Sequence, residues 1–332
     1  MEAPLLIDRW LPQPDVLVGD DSAVAMARAR VREIARGLPL ELVETMALIT
    51  SELLVNQLRH AGGGRFAVLR FERDGVVGIE VVAADRGPGL VDPPLAIADR
   101  VSAAGSIGAG LGAVFRLADE VDVDVRVGEG TCFRARKLAV SPRHRAEIGI
   151  YGRPCPGETV SGDDGAFLRQ GDITAVVVAD GLGHGPWARE ASERALSALG
   201  TGPPADAVRE ADRLLVGTRG ATMVALRCDG RAGVVEQASA GDVATHFERA
   251  GRGGNRLAGQ SGTVGVGRLP GLRVEQEAFS AGDVLIVATD GVTSAGHAVR
   301  AGGRHPLLVA HQLVTDFSRP SDDALALVAR LG

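Results

Sequence analysis

Three apolar runs in this chain each stop at an aspartate with a glycine one or two places on: 79–89 (IEVVAADRGPG), 173–185 (ITAVVVADGLGHG) and 284–291 (VLIVATDG). A valine-rich run of this length reads as a buried strand, so each aspartate stands where a sheet meets solvent. The glycine beside it lets backbone approach a phosphate or a metal. An ordinary turn explains any one of the three, because Asp-Gly is a common turn signal. Three in one chain, each with further polar partners, point instead to ligand sites at strand ends.

The remaining composition narrows what those ligands are. With 332 residues, 45% of them hydrophobic, two domains can each bury a core. A formal net charge of −6 and a pI near 5.7 leave no basic face for nucleic acid. Lys137 is the sole lysine and sits in neither a P-loop nor the phosphate-pairing strand of a eukaryotic-type kinase, which excludes both designs. Cys132, Cys155 and Cys228 are far apart and form no CxxC, so neither a zinc site nor a disulfide framework is expected, and a reducing cytoplasm fits. No apolar stretch approaches the ~18 residues of a membrane span. MEAPLLIDRW lacks the basic region of a signal peptide, so a cytoplasmic protein with no membrane partner is expected.

Helical spacing runs over 21–36 and 39–60, and strand-like alternation over 65–72 and 76–84. A glycine-rich loop at 105–112, a short helix near 113–119 and strands at about 121–127 and 131–138 complete an α+β layer sandwich. The polar stretch 141–149 opens with Ser-Pro and reads as a linker between domains at 1–140 and 150–332. Beyond it come many short strands, near 172–179, 222–227, 233–239, 243–248, 274–279 and 284–288. Helices are expected at 186–199, 204–216 and 305–317, and 249–262 reads as a mobile loop. Two sheets flanked by helices is the natural packing.

Glu52, Asn56 and His60 lie four apart on one helix and project from one face. A solvated polar stripe is the plain alternative, and His60 reads as a helix-end or packing histidine. Asp85-Arg86-Gly87-Pro88-Gly89 ends the next apolar strand, Gly108-Ala109-Gly110-Leu111-Gly112 leads into a helix, and Gly128-Glu129-Gly130-Thr131 adds a turn with a hydroxyl. A carboxylate in a dry pocket can accept from an exocyclic amine, and glycines before a helix offer N–H groups to phosphates.

The ordered set Glu-x3-Asn, Asp-x-Gly-x-Gly, Gly-x-Gly-Leu, Gly-x-Gly-Thr resembles the GHKL (Bergerat-type) ATPases, and 1–138 resembles their small serine-kinase branch of RsbT and RsbW anti-sigma regulators. SELLVNQLRHAGGG is most similar to the RsbT type. The resemblance implies that Asn56 coordinates Mg²⁺, that Asp85 contacts the adenine of ATP, and that Gly87, Gly89, Gly108, Gly110, Leu111 and Thr131 shape the nucleotide pocket and its lid. It makes Glu52 the base that orients or deprotonates the acceptor serine, worth ~10²–10⁴ in rate. Sensor histidine kinases share the ATP site but place a phosphoacceptor histidine before it, and no histidine precedes His60.

Asp163 (SGDD), Asp180, Asp290 and Asp322-Asp323 are scattered over the second half, and gathering them is unfavourable without cations. Oxygen donors without Cys or paired His favour Mg²⁺ or Mn²⁺, and two such ions would hold a hydroxide for in-line attack at phosphorus. The set SGDD, ADGxGxG, TDG and DD over roughly 150–330 resembles the metal-dependent PPM protein phosphatases, in their SpoIIE and RsbX branch, whose fold is an α-β-β-α sandwich. By that resemblance Asp163, Asp180, Asp290, Asp322 and the carbonyl of Gly181 are ligands to two ions, Asp323 has a less defined role, and His184 and Trp187 shape the mouth. The family carries a threonine where this chain has Leu325, which implies weaker support for the metal carboxylates.

Together the resemblances imply a bifunctional partner-switching regulator of bacterial stress or sigma-factor signalling. It would act as serine/threonine kinase and phosphatase on STAS-domain antagonists of an RsbS or RsbR kind. The alternative is a nucleotide-gated module that sequesters a sigma factor or a downstream activator with little kinase turnover, fused to an active phosphatase.

Overall fold

The computed structural model describes residues 15–98, 110–250, 253–267, 269 and 271–332. The chain forms two compact units, Met1–Arg145 and Ala146–Gly332.

In the first unit the elements run β1 (Val16–Val18), α1 (Asp21–Ile34), α2 (Leu40–His60), β2 (Gly64–Arg73), β3 (Val76–Asp85), α3 (Pro93–Ile97), α4 (Leu111–Leu117), β4 (Glu120–Arg126) and β5 (Gly130–Leu138). The strands lie in the order β1-β2-β3-β5-β4, each antiparallel to its neighbour. Asp20 caps α1, its Oδ1 accepting from Ser22 N–H at 2.8 Å, and α2 begins directly after Pro39. Met46, Ile49, Leu53 and Leu54 of α2 are fully buried, with α2 packed on α1, β3 and β5. This α+β layer arrangement leaves the face carrying Glu52 and Asn56 half-buried beside α3 and α4. Charged residues inside the strands are paired across them: Glu80 lies opposite Arg136 and Arg136 opposite Glu120. Arg136 Nη2 also reaches Asp122 Oδ2 at 3.0 Å.

The second unit runs β6 (Glu147–Arg153), β7 (Asp163–Gln170), β8 (Ile173–Gly181), α5 (Pro186–Leu196), α6 (Pro204–Leu214), β9 (Ala221–Asp229), β10 (Val234–Ala240), β11 (Ala244–Glu248), β12 (Gly254–Arg256), β13 (Glu275–Ala278) and β14 (Val284–Ala288), then a 3₁₀ turn (Ser294–Ala298), α7 (Pro306–Asp316) and β15 (Ala324–Arg330). Its strands form two antiparallel sheets, β6-β15-β14-β11-β12 and β13-β10-β9-β8-β7. Helix α7 covers β6 and β15, while α5 and α6 cover β8, β9 and β10, giving an α-β-β-α sandwich. Alanines 191, 195, 205 and 211 of the helices meet Val177, Ala179, Met223 and Ala225 of the sheet in one apolar cluster. Between the sheets, Leu325 Cδ2 lies 3.3 Å from where a Cβ on Gly165 would stand, so that glycine brings the layers together.

Several elements differ from the sequence expectation. Strand β15 (ALALVAR) is buried on both faces and so lacks the alternation that marks a half-exposed strand. Strand β7 opens on Asp-Asp-Gly, a turn signal, yet pairs with β8 along its length. Residues 147–149, read as the end of the linker, begin β6, and Gly149 is where the start of α7 crosses closest. Within 249–262, read as a loop, Gly254–Arg256 pairs with β11.

Candidate functional sites: a cavity and a carboxylate cluster

In the first unit a cavity of about 540 Å³ opens beside α2, within the range of small-molecule sites. Glu52, Asn56, Gly110 and Leu111 line it, as do Arg59, His60 and Asp92. The four-residue spacing on α2 is what places Glu52, Asn56 and His60 on the same wall. Burial raises the Glu52 carboxyl above its ordinary pKa, opposed by the Arg59 guanidinium and by a hydrogen bond from the Gly110 amide.

Asp85, Gly87, Gly89 and Thr131 are not in that lining and form a neighbouring group. Asp85 ends β3 opposite Thr131 of β5, and its Oδ1 accepts from Gly87 N–H at 2.9 Å. Burial raises its pKa, while the amides of Gly87 and Thr131 and the charge of His60 oppose the rise. His60, read from sequence as a helix-end or packing histidine, is the last residue of α2, and it also lines the cavity and acts on Asp85. Gly89 adopts φ 77° and lies against the Arg126 carbonyl, where a side chain has no room. Gly108 lies outside the described residues. Arg59 and Asp92 were not singled out from sequence, although Arg59 falls three places after Asn56 on the same helical face.

In the second unit the topology gathers carboxylates at one end of the sandwich. Asp163 starts β7 directly opposite Asp180 near the end of β8, and Asp290 follows β14 while Asp322 and Asp323 precede its partner β15. Like charges in cross-strand register repel. Burial, then the Asp290, Asp242 and Asp322 charges, push Asp180 up to about 8. Burial and Asp180 drive Asp163 well above the carboxylate range, and burial followed by Asp322 and Asp242 raises Asp290 against the opposing charge of Arg319.

These groups fit divalent cations in their chemistry, since oxygen donors this crowded ionise together only against added positive charge. Their spacing is looser. Among the described residues no set of three or more His, Cys, Asp or Glu side chains stands close enough to hold an ion as arranged. Gly181 has the Ala188 carbonyl of α5 where a side chain would be, which keeps its backbone bare.

Asp323 takes a different part from its neighbour. Its oxygens accept from Cys155 N–H at 2.6 Å and Gly162 N–H at 2.9 Å, with His184 Nδ1 at 3.3 Å, so it staples two loops beside the cluster. Trp187 is exposed on the first turn of α5. The hydroxyl that supports Asp163 comes from a residue the sequence did not single out: Thr289 Oγ1 donates to Asp163 Oδ2 at 2.6 Å and accepts from Leu325 N–H at 3.0 Å. Leu325 therefore contributes its backbone N–H to the hydrogen bonds that orient the Thr289 hydroxyl. Asp242 was missed because its glycine precedes it (SAGD), the reverse order of the other strand ends.

The fold and the two sites define a protein that joins an α+β domain with a small-molecule-sized cavity to an α-β-β-α sandwich with a carboxylate cluster. The histidine kinase-like ATPase domain family matches residues 18–137, and the stage II sporulation protein E (SpoIIE) family matches 170–332. Over 116 residues the chain is 34% identical to the serine/threonine-protein kinase RsbT of Bacillus subtilis (strain 168), covering 34% of this chain and 87% of that protein. The chain thus belongs to the RsbT-type histidine kinase-like ATPases, fused to a SpoIIE-type PPM phosphatase domain. A chain from a structure of the bacterial stressosome, a modular system adapted to control secondary messenger signalling, aligns over 56% of this chain and 99% of its own, at 29% identity and a TM-score of 0.52. RsbX in complex with magnesium aligns over 58% of this chain and 98% of its own, at 17% identity and a TM-score of 0.50, a likeness of fold. These relatives fit a partner-switching regulator.

Proposed function

We propose that this chain sets the phosphorylation state of a small STAS-domain antagonist of an RsbS or RsbR kind, adding a phosphoryl group from ATP at the first unit and removing it at the second. The observation that carries the reading is the coexistence of two chemically opposite sites in one chain. One is a roomy hollow with a single half-buried glutamate on its wall; the other is a crowd of strand-end carboxylates in which burial and neighbouring negative charge raise the pKa of Asp163 and Asp180.

In the first unit the cavity would take ATP, with Asn56 as the residue to hold its Mg²⁺ and Asp85 as the acceptor for the adenine amine. Gly87, Gly89, Gly110, Leu111 and Thr131 would shape the pocket. Glu52 orients the acceptor hydroxyl and takes its proton as the new O–P bond forms and ADP leaves; its raised pKa suits a base that must accept that proton. In the second unit Asp163, Asp180, the Gly181 carbonyl, Asp290 and Asp322 would hold two Mn²⁺ or Mg²⁺ ions once their side chains draw together, and such ions would supply charge neutralisation and an acidified water for attack at phosphorus. Thr289 fixes the orientation of Asp163, and Asp323 holds the flanking loops. Three free cysteines, two of them buried, suit a reducing cytoplasm, and among the described residues no helix is long and apolar enough to cross a membrane.

The test is mass spectrometry of a STAS protein incubated with this chain, first with ATP and Mg²⁺, then with Mn²⁺. Phosphate should appear and then disappear. Glu52→Gln should reduce its appearance ~10²–10⁴-fold, and Asp290→Asn should abolish its removal. Binding of the STAS protein without any phosphorylation by the unmodified chain would instead assign the first unit a sequestering role.

A further inference from the structure

The geometry points to Arg319 as the residue that grips the phosphoryl group of the substrate at the carboxylate cluster, a role that rests on the phosphatase reading of that site. Arg319 lies in the loop between α7 and β15, three residues before Asp322. Its Nη1 stands 3.5 Å from Asp290 Oδ2 and 3.9 Å from Asp322 Oδ2, and its side chain is 52% exposed. Both contacts are long and half in solvent, so they cost little to break. A phosphoryl dianion offers the same guanidinium two short parallel bonds, the geometry for which arginine is suited and lysine is not.

What makes this more than a surface charge is how the loop is held. Arg319 N–H donates to the Gly291 carbonyl at 2.8 Å, which ties its backbone to the residue after Asp290. Thr293 N–H donates to Phe317 O at 2.7 Å, and Val292 bridges Ser318. From the other side Arg153, at the end of β6, donates to Ser318 Oγ at 2.7 Å, Arg319 O at 2.8 Å and Asp322 O at 2.9 Å. The loop is braced at both ends while the half-exposed Arg319 head makes only its two long contacts with the carboxylates. Cations held by Asp290 and Asp322 would take over those oxygens and leave the guanidinium beside them, facing any phosphate the site receives. Arg153 is a positioning residue in this scheme.

The experiment compares the full chain with Arg319→Ala and Arg319→Lys in three readouts: Mn²⁺ affinity by calorimetry, inhibition of p-nitrophenyl phosphate hydrolysis by inorganic phosphate, and the KM and kcat of that hydrolysis. Arg319→Ala should raise the phosphate inhibition constant and KM about 10–100-fold, with Mn²⁺ affinity unchanged or tighter, and lysine should restore only part. Weaker Mn²⁺ binding with an unchanged phosphate inhibition constant would overturn the proposal and make Arg319 a brace for the carboxylates. Absence of Mn²⁺-dependent hydrolysis in the unmodified chain would overturn the phosphatase reading itself, and this proposal with it. Hydrolysis in the unmodified chain with phosphate inhibition indifferent to Arg319 would overturn this proposal alone.

Discussion

Asp85 and Asp180 occupy the same local position, the polar end of a valine-rich strand beside a glycine, and their surroundings differ in kind. Both are raised by burial. At Asp85 the further influences all oppose the rise, coming from two backbone amides and a histidine. At Asp180 three more carboxylates add to it. One strand end is thus finished by its own backbone and ready to accept a single hydrogen bond, whereas the other is left with an excess of negative charge that only a proton or a cation relieves. The local motif says that a ligand is near; the neighbours brought by topology say which kind.

The comparison breaks most visibly at Asp180. Asp180→Asn should lower Mn²⁺-dependent phosphate release by about 10³-fold or more, since losing metal assistance forfeits several kcal/mol of transition-state stabilisation. The same variant should be more stable than the unmodified chain when metal is removed. A carboxyl whose pKa climbs to about 8 on folding imposes no cost below its unfolded value near ~4, and its cost grows as pH rises from there toward about 8. In EDTA at pH 8 the variant should melt higher, by about 2–4 °C for each kcal/mol relieved, and at pH 4 the two should coincide. Adding Mn²⁺ should reverse the order. Equal melting at pH 8 in EDTA would show that the crowding of carboxylates is not what sets this strand end apart.

At Asp85 the same substitution tests the opposite property. Asp85→Asn should weaken ATP binding about 10–100-fold, the worth of one hydrogen bond to a charged group, and should leave phosphate release by the second unit unchanged. Calorimetric titration with ATP and with GTP reads the effect. If ATP affinity holds while GTP affinity also stays low, discrimination lies with the cavity-lining residues Arg59, His60 and Asp92.

These expectations were legible in the sequence to different depths. Glu52 and Asn56 could be placed on one wall because helical period alone aligns them, and the same period reaches Arg59. The strand ends carrying Asp180 and Asp290 were marked by apolar runs, yet their meeting with Asp163 depends on β7 and β15, whose sequences hide their strand character: one starts like a turn and the other is apolar throughout. Asp242 acts on both Asp180 and Asp290 from a connection between strands whose Gly-Asp order gave no signal. Register between distant strands is set by packing of whole layers, which no local pattern encodes.

The finest distinction concerns Thr289 and Leu325. A family pattern places a supporting threonine at position 325, and the chain has leucine there; the structure supplies the hydroxyl from Thr289, which sits immediately before Asp290 and reaches across to Asp163. Leucine at 325 fills the space between the sheets against Gly165 while its N–H orients the Thr289 oxygen. Thr289→Val keeps the shape and removes the donor, so Mn²⁺ affinity should fall about 10-fold with little change in melting temperature under EDTA. Leu325→Thr should not add to that affinity, because Thr289 already donates to the carboxylate, and should lower stability by leaving a hydroxyl in an apolar layer. A gain in Mn²⁺ affinity from Leu325→Thr alone would mean that Thr289 does not carry the support at Asp163, and that the two threonine positions are not interchangeable ways of holding one ligand.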